Sequence, residues 1–310
     1  LTALAIAATR ADILCLQEVD NLEALKAFEY GYLFKMIGSG YRQKVITPGN
    51  DSRGIDVALL MRPETRDGQS IDFVRMTSHA TLTFEEMELY LPGLAELNIQ
   101  PHDRIFRRDC LEVDIRIGGR PLTLYLVHFK SMGGFRNWVP GREATMPVRV
   151  AEAKAVRRII ERRFGVDHAG AKNWAVCGDF NDYRERLVIG GDDIAGYTFT
   201  PAEEAVSSVN TLLEGGFSEN VVARRPVLDR WTLYHTRGPE ERHLCQLDYI
   251  CLSPALSRAN AAATPDMIRA GQPWRTPFPP GQEVERYPRT GWDSPKASDH
   301  CPVAMTLDIV

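Results

Sequence analysis

The chain has little cysteine, no long apolar run and no excess of charge of one sign, and each shortage removes a class of protein. Its six cysteines (Cys15, Cys110, Cys177, Cys245, Cys251 and Cys301) stand far apart, and none has the two-to-four-residue spacing of a zinc knuckle. Buried free thiols are the expectation. The apolar stretch near the start, Leu4 to Ala8, is soon interrupted by Arg10 and Asp12 and is too short to span a bilayer. With 37 Lys+Arg against 41 Asp+Glu the formal net charge is −4, which argues against a surface held on nucleic acid by general phosphate neutralisation. Only a confined basic cleft remains for that purpose. What is present is the composition of a globular protein, 44% hydrophobic and 25% charged, without repeats or low-complexity tracts. A chain of this length buries about three-quarters of its unfolded surface.

Leu1 to Arg10 reads as an apolar helix, and Ile13 to Leu16 as a buried strand running on into Gln17-Glu18-Val19. Asn21 to Phe28 reads as a helix capped by Asp20 or Asn21 and ended by Gly31. The strands Gly54 to Met61 and Ile71 to Arg75 have hairpin spacing, and residues 77–110 read as a surface excursion. Leu111 to Ile117 and Leu122 to Phe129 form a hairpin around Gly118-Gly119-Arg120, with Glu112, Asp114 and Arg116 on its wet face. Val148 to Phe164 is a long helix on which Arg149, Arg157 and Arg158 read as a solvated face. Trp174 to Cys177 is a buried strand opening into Gly178-Asp179-Phe180-Asn181-Asp182. Pro201 to Leu213 reads as a helix; Arg230 to His235, Leu247 to Leu252 and Pro302 to Ile309 read as strands; residues 261–296 form a second surface excursion. The sum is a single α+β domain over residues 1–310, with two mainly antiparallel sheets packed face to face and helices outside.

Five apolar strands or strand-like runs end in an acid, amide or imidazole: Glu18, His128, Asp179 with Asn181, Asp248, and Asp299 with His300. Any one of them has an ordinary reading as a turn acid, a cap or a satisfied core histidine. If the strands meet at one sheet edge, the groups share a cleft of hard oxygen ligands suited to Mg²⁺ or Mn²⁺. Phosphoryl transfer needs such a set: a carboxylate-bound cation, donors for developing charge, and an acid or base for water and leaving group.

Leu16-Gln17-Glu18-Val19, His128-Phe129-Lys130-Ser131, Gly178-Asp179-Phe180-Asn181-Asp182, Gln246-Leu247-Asp248-Tyr249-Ile250 and Ser298-Asp299-His300-Cys301-Pro302-Val303 resemble, in order, the signatures of the endonuclease/exonuclease/phosphatase (DNase I-like) superfamily. The resemblance runs from about Leu1 to the C-terminus and implies a four-layer α/β sandwich with Mg²⁺- or Mn²⁺-dependent phosphoester hydrolysis. By that likeness Glu18 is the principal metal carboxylate, and Asp299 completes or supports the metal shell. Asp179 handles the nucleophilic water or leaving group, Asn181 positions it and contacts the phosphate, and His300 and His128 bind phosphate. Asp248 orients His300. Arg53, in a segment similar to Arg-Gly-Ile-Asp-Val-Ala-Leu of bacterial members, and Lys130 are candidate phosphate grips, against an equally ordinary solvent-facing reading. The resemblance also implies an asparagine at the end of an earlier strand; none is present, so the domain is expected to lack its first strand.

The expected substrate is a DNA or RNA phosphodiester, cut by an endonuclease or exonuclease. A small-molecule or lipid-headgroup phosphodiester is the alternative, with Phe135, Trp138, Trp274 and Trp292 available to line a pocket or stack on bases. A binding protein that has lost turnover is the noncatalytic reading. No protein partner is implied.

Overall fold

The structure is a computed structural model that describes residues 1–133, 139–238 and 240–310. Strand alternation explains its layers. β1 (Ile13–Val19), β2 (Gln43–Ile46) and β3 (Asp56–Met61) form an antiparallel sheet in the order β1-β3-β2. Along β3, Val57, Leu59 and Met61 enter the core between the sheets, while Ala58 and Leu60 face α1 (Thr2–Thr9) and α2 (Leu22–Phe28) on the outside. The facing sheet has six strands, β4 (Ile71–Ser78), β5 (Cys110–Ile117), β6 (Arg120–His128), β7 (Trp174–Asp179), β10 (Glu219–Asn220) and β13 (Asp248–Leu252), in the order β10-β13-β7-β6-β5-β4. Leu122, Leu124 and Leu126 of β6 point inward, whereas Tyr125 and Val127 meet Val148, Val156 and Ile159 of α5 (Met146–Phe164), to which the short α4 (Gly141–Ala144) leads. Helix, sheet, sheet and helix thus make four layers. A separate sheet, β11-β12-β8-β9, is built from β8 (Glu185–Asp192), β9 (Gly196–Glu203), β11 (Leu233–Thr236) and β12 (Arg242–Cys245). Two further short helices, α6 (Asn210–Leu213) and α7 (Pro254–Ala259), and the two-residue pair β14 (Asp266–Met267) and β15 (Val303–Ala304) lie outside these sheets.

Several sequence expectations are corrected. α2 does not stop at Gly31; a π turn at Glu29–Leu33 carries it into α3 (Phe34–Ile37), and left-handed Gly38 ends it. β3 and β4 are not a hairpin, because the chain crosses from one sheet to the other between them. Pro201 lies in β9, an edge strand where proline is tolerated, and not at the start of a helix. Only Val303–Ala304 of the expected closing strand is paired, although Met305, Leu307 and Ile309 still pack on the inter-sheet core. Residues 77–110 are a packed cap, with Phe84, Met87, Leu94 and Phe106 fully buried against the α5 side of the sheet. On the face of β5 expected to be wet, Arg116 is exposed but Glu112 and Asp114 are buried. Arg163 of α5 bonds both Glu112 and Asp114, Arg75 Nε lies 2.6 Å from Asp114 Oδ2, and His79 Nε2 lies 3.0 Å from Glu112 Oε2. The long segment 261–296 is anchored by Arg269, whose guanidinium sits 4.3 Å over the Trp231 ring. Trp274 and Trp292 are exposed there, while Phe135 and Trp138 lie outside the described residues. All six cysteines are free, five of them buried, and no described helix is long and apolar enough to cross a membrane.

Candidate active site

β6 and β7 pair in parallel, so their carboxyl ends finish side by side with His128 opposite Asp179. β13 runs antiparallel to β7 and begins at Asp248, which is Asp179's partner on the other side. Residues directly opposite share a face, so these three side chains form one row across the end of the sheet. Gly178 permits the close approach. Its φ is +148°, and a Cβ there would lie 1.9 Å from the Val127 carbonyl oxygen.

Beyond the row the chain turns sharply at Asn181, whose φ of +49° is one that asparagine tolerates. The Asn181 backbone N–H donates to Asp179 Oδ1 at 2.7 Å, and its side-chain Nδ2 donates to Asp179 Oδ2 at 3.0 Å and to the Phe129 carbonyl at 3.1 Å. Both carboxylate oxygens are therefore fixed. His300 arrives from the other end of the chain, docked by a bridge to Leu233 and by Ser298 Oγ, which accepts its backbone N–H at 3.0 Å. Its Nδ1 lies 2.8 Å from Asp248 Oδ2, and no described residue bonds its Nε2. Thr232 Oγ1 in turn accepts the backbone N–H of Asp248 at 3.2 Å.

The environment separates the proton affinities. Burial pushes Asp179 up to about 7, with Asp248 adding to the effect and His300 opposing it. Burial pulls His300 down, but the carboxylates of Asp248, Asp179 and Asp299 outweigh it and raise the imidazole to about 10. His128 falls to about 3, mainly through burial and then the charges of Arg108, His300 and Arg53. At neutral pH the site holds a cationic His300, a neutral His128 and an Asp179 poised near its midpoint. His128 Nε2 lies 3.4 Å from Asp179 Oδ2, and its Nδ1 is enclosed without a partner among the described residues.

Arg53 is held bidentately by Asp51, at 3.1 Å from Nε and 3.0 Å from Nη2, and its side chain is 58% exposed. Asp51 also pairs with Arg108 Nε at 2.9 Å, and Arg108 is almost fully buried with Nη1 2.9 Å from the Phe129 carbonyl. One carboxylate thus tethers two guanidiniums beside His128, and the Arg53 bonds hold Asp51 down at about 2. Lys130 is half-buried, with Nζ 3.2 Å from Ser131 Oγ. Glu18 sits at the irregular end of β1 with φ +58°, exposed and without a hydrogen bond or ion pair among the described residues. Asp299 is exposed and acts on His300 by its charge.

Sequence reasoning missed Asp51 and Arg108, although Arg108 stands directly before β5 in Arg107-Arg108-Asp109. It also assigned Arg149 to a solvated face, where the structure buries it completely. Asp182, the last residue of the Gly-Asp-Phe-Asn-Asp run, is a fully buried anchor that accepts from Ser208 N–H at 2.7 Å and pairs with Arg142 Nη2 at 2.8 Å.

Among the described residues no three His, Cys, Asp or Glu side chains are placed to cage a metal. The donor chemistry fits a sparser arrangement. Mg²⁺ commonly keeps its waters and takes one or two protein carboxylates plus substrate phosphate oxygens, and Glu18 is an unpartnered, accessible carboxylate of that kind.

Two layers of sheet between helices, with acids and imidazoles at the strand ends, define a phosphoesterase-type sandwich. The Endonuclease/Exonuclease/phosphatase family model matches residues 3–300, and the chain belongs to that family, whose members act on phosphodiester and related phosphoester bonds. Among solved structures it is similar to D. rerio TDP2 complexed with single strand DNA product, at 15% identity over 99% of this chain and 91% of that one, with TM-score 0.53. Truncated Caenorhabditis elegans TDP2 matches at 14% identity, 98% and 88% coverage and TM-score 0.51. SmcL matches at 15% identity, 99% and 91% coverage and TM-score 0.51. At such identities the likeness is one of fold, the DNase I-like four-layer sandwich. No curated protein sequence matches.

Proposed function

We propose that this protein is a divalent-metal-dependent phosphodiesterase that hydrolyses nucleic acid. The observation that carries the reading is the row His128–Asp179–Asp248 with His300 bonded to its end, where an acid and an imidazole have their proton affinities pushed to either side of a working range. Family membership supports the phosphoester, and the likeness to a TDP2 solved with a single strand DNA product supports the polymer.

Asp179, with both oxygens fixed by Asn181, takes the proton of the attacking water as its oxygen bonds phosphorus; the P–O bond to the leaving oxygen breaks, and that oxygen takes a proton from solvent. His300 donates from Nε2 to a phosphate oxygen and offsets the charge that builds there, while Asp248 keeps the ring oriented and cationic. His128, uncharged and buried, backs Asp179 and limits its motion. Arg53, aimed by Asp51, grips a neighbouring phosphate. Glu18, with Asp299 as the second carboxylate, would hold a divalent cation that supplies Lewis-acid stabilisation of the phosphate oxygens.

The test is hydrolysis of single-stranded DNA, duplex DNA, RNA, bis-para-nitrophenyl phosphate, para-nitrophenyl phosphate and a choline phosphodiester with Mg²⁺ or Mn²⁺, each with an EDTA control. Metal-dependent cutting of a polymer, abolished by EDTA and by Glu18→Gln, is expected. Turnover of the small esters with none of the polymers replaces this reading by a small-molecule phosphoesterase, and activity that survives EDTA removes the metal from it.

A further inference from the structure

We propose that Arg149 and Glu152 are positioning residues: from α5 they lock the peptide groups that follow His128 and so hold that imidazole and Lys130 at the reaction centre. The kinetic part of this inference rests on the function proposed above; the structural part does not.

Both side chains are fully buried, one turn apart on the same helix. Glu152 Oε2 accepts the Lys130 backbone N–H at 2.7 Å, and its Oε1 accepts that of Arg107 at 3.1 Å. Arg149 Nη1 donates to the Lys130 carbonyl at 3.3 Å and to Thr145 Oγ1 at 2.6 Å, and its Nη2 donates to the Arg142 carbonyl. The preceding residue is held as tightly. The Phe129 carbonyl accepts from Arg108 Nη1 and Asn181 Nδ2, and the Phe129 N–H donates to the Asp179 carbonyl at 2.9 Å. Every backbone donor and acceptor of residues 129 and 130 thus ends on a named partner, three of whose side chains are charged.

Holding a loop does not require such groups. Burying a carboxylate and a guanidinium is costly, and a well-packed apolar pair commonly serves stability as well or better. What charged anchors add is direction, because each bond fixes the plane of one peptide. Here the fixed planes lie between His128, the end of the row, and the side chain of Lys130. Glu152 also ties Arg107, the neighbour of Arg108, so the same carboxylate sets the backbone beside the buried guanidinium whose charge acts on His128.

The test compares Glu152→Gln with Glu112→Gln. Glu112 is a buried carboxylate under the same helix, bonded to Arg163 and His79; it stands opposite Tyr125, three residues before His128 on β6, and makes no bond to residues 129 and 130 among the described contacts. In E152Q one backbone N–H meets an amide donor, the His128 loop loosens, and water reaches the ring. Nitrogen-detected NMR titration should then show the His128 pKa rising from about 3 toward its ordinary range. On the substrate that the wild type cleaves, kcat should fall by about 10- to 100-fold with KM nearly unchanged. E112Q should lower the melting temperature comparably and move neither readout. An unchanged His128 titration in folded E152Q, or the same shift in E112Q, overturns the proposal. If E152Q does not fold, Arg149→Lys, which keeps the charge and loses the two-point grip, is read the same way. Should the wild type hydrolyse nothing, the proposed function fails while the His128 titration still decides the clamp.

Discussion

Two groups of buried carboxylates lie on the same six-stranded sheet, and they behave in opposite ways. Under α5, Glu112 and Asp114 are pinned by Arg163 and Arg75, cations that do not titrate in the working range. Burial pushes Asp114 up, but its bonds from Arg75, Thr123 and Arg163 prevail and hold it below the ordinary value. At the strand ends Asp179 has no guanidinium in contact among the described residues; an amide and two imidazoles surround it, and it rises to about 7. Burial alone therefore does not make a reactive acid. A permanent cation turns a buried carboxylate into a post, and soft, titratable neighbours leave it free to exchange protons.

The contrast is tested most severely by removing the groups proposed to react. His300→Ala and Asp179→Asn are each expected to lower kcat/KM by roughly 10²- to 10⁴-fold with unfolding curves that remain cooperative. Activity within tenfold of wild type in either would end the assignment. Asp248→Asn strips His300 of its first supporting charge, and a smaller loss of about 10- to 100-fold is expected. In the wild type the rate should rise as Asp179 loses its proton near 7 and fall as His300 loses its own near 10, the two limbs belonging to the coupled site. D248N should move the alkaline limb down; a limb that stays in place would show that another group sets it.

The smallest effect is on stability, and its sign differs between the two regions. Asp179 binds its proton more tightly folded than unfolded, so its ionisation opposes folding as pH rises from about 4 through 7. D179N should accordingly be the more stable protein at pH 8, by about 1–2 kcal/mol, and should lose that advantage below pH 4. Asp114 is the reverse: its contribution is present above its unfolded value and lost as pH falls through the lower folded one. D114N should be destabilised by about 1–3 kcal/mol at pH 7 and much less in acid. Urea denaturation of both variants at three pH values reads this directly, and equal pH slopes would erase the distinction.

His128 and Asp179 were legible in the sequence because each ends a short apolar strand, which is visible without a fold, whereas Asp248 opens β13 and was legible through the resemblance carried by Gln246-Leu247-Asp248-Tyr249-Ile250. Their neighbours were not. Arg108, Arg149 and Glu152 sit among other charges, where nothing local distinguishes a buried cation from a solvated one; the difference is made by loop backbones that come from residues far away in the chain. The same reason hid the burial of Glu112 and Asp114, whose alternation is real but whose polar face meets a helix and not water. The β8–β9 hairpin escaped because Pro201 imitates a helix start, and Glu18 and Asp299 remain candidates by pattern, since both are exposed and neither is built into a cage of the described residues.

The parallel pairing of β6 and β7 has a consequence for how such a protein can diversify. Two parallel neighbours need a long return path, here residues 129–173, which must climb over the sheet but is not obliged to have any particular length or ornament along the way. An insertion within either strand would slip the register and turn His128 or Asp179 to the opposite face. An insertion in the return path leaves the row untouched where it spares residues 129–130, Arg142 and α5, which hold the backbone after His128. On the proposed function the row is thereby insulated from the remainder of that path, which is free to acquire new contacts, and a change of substrate can begin there without disturbing the row.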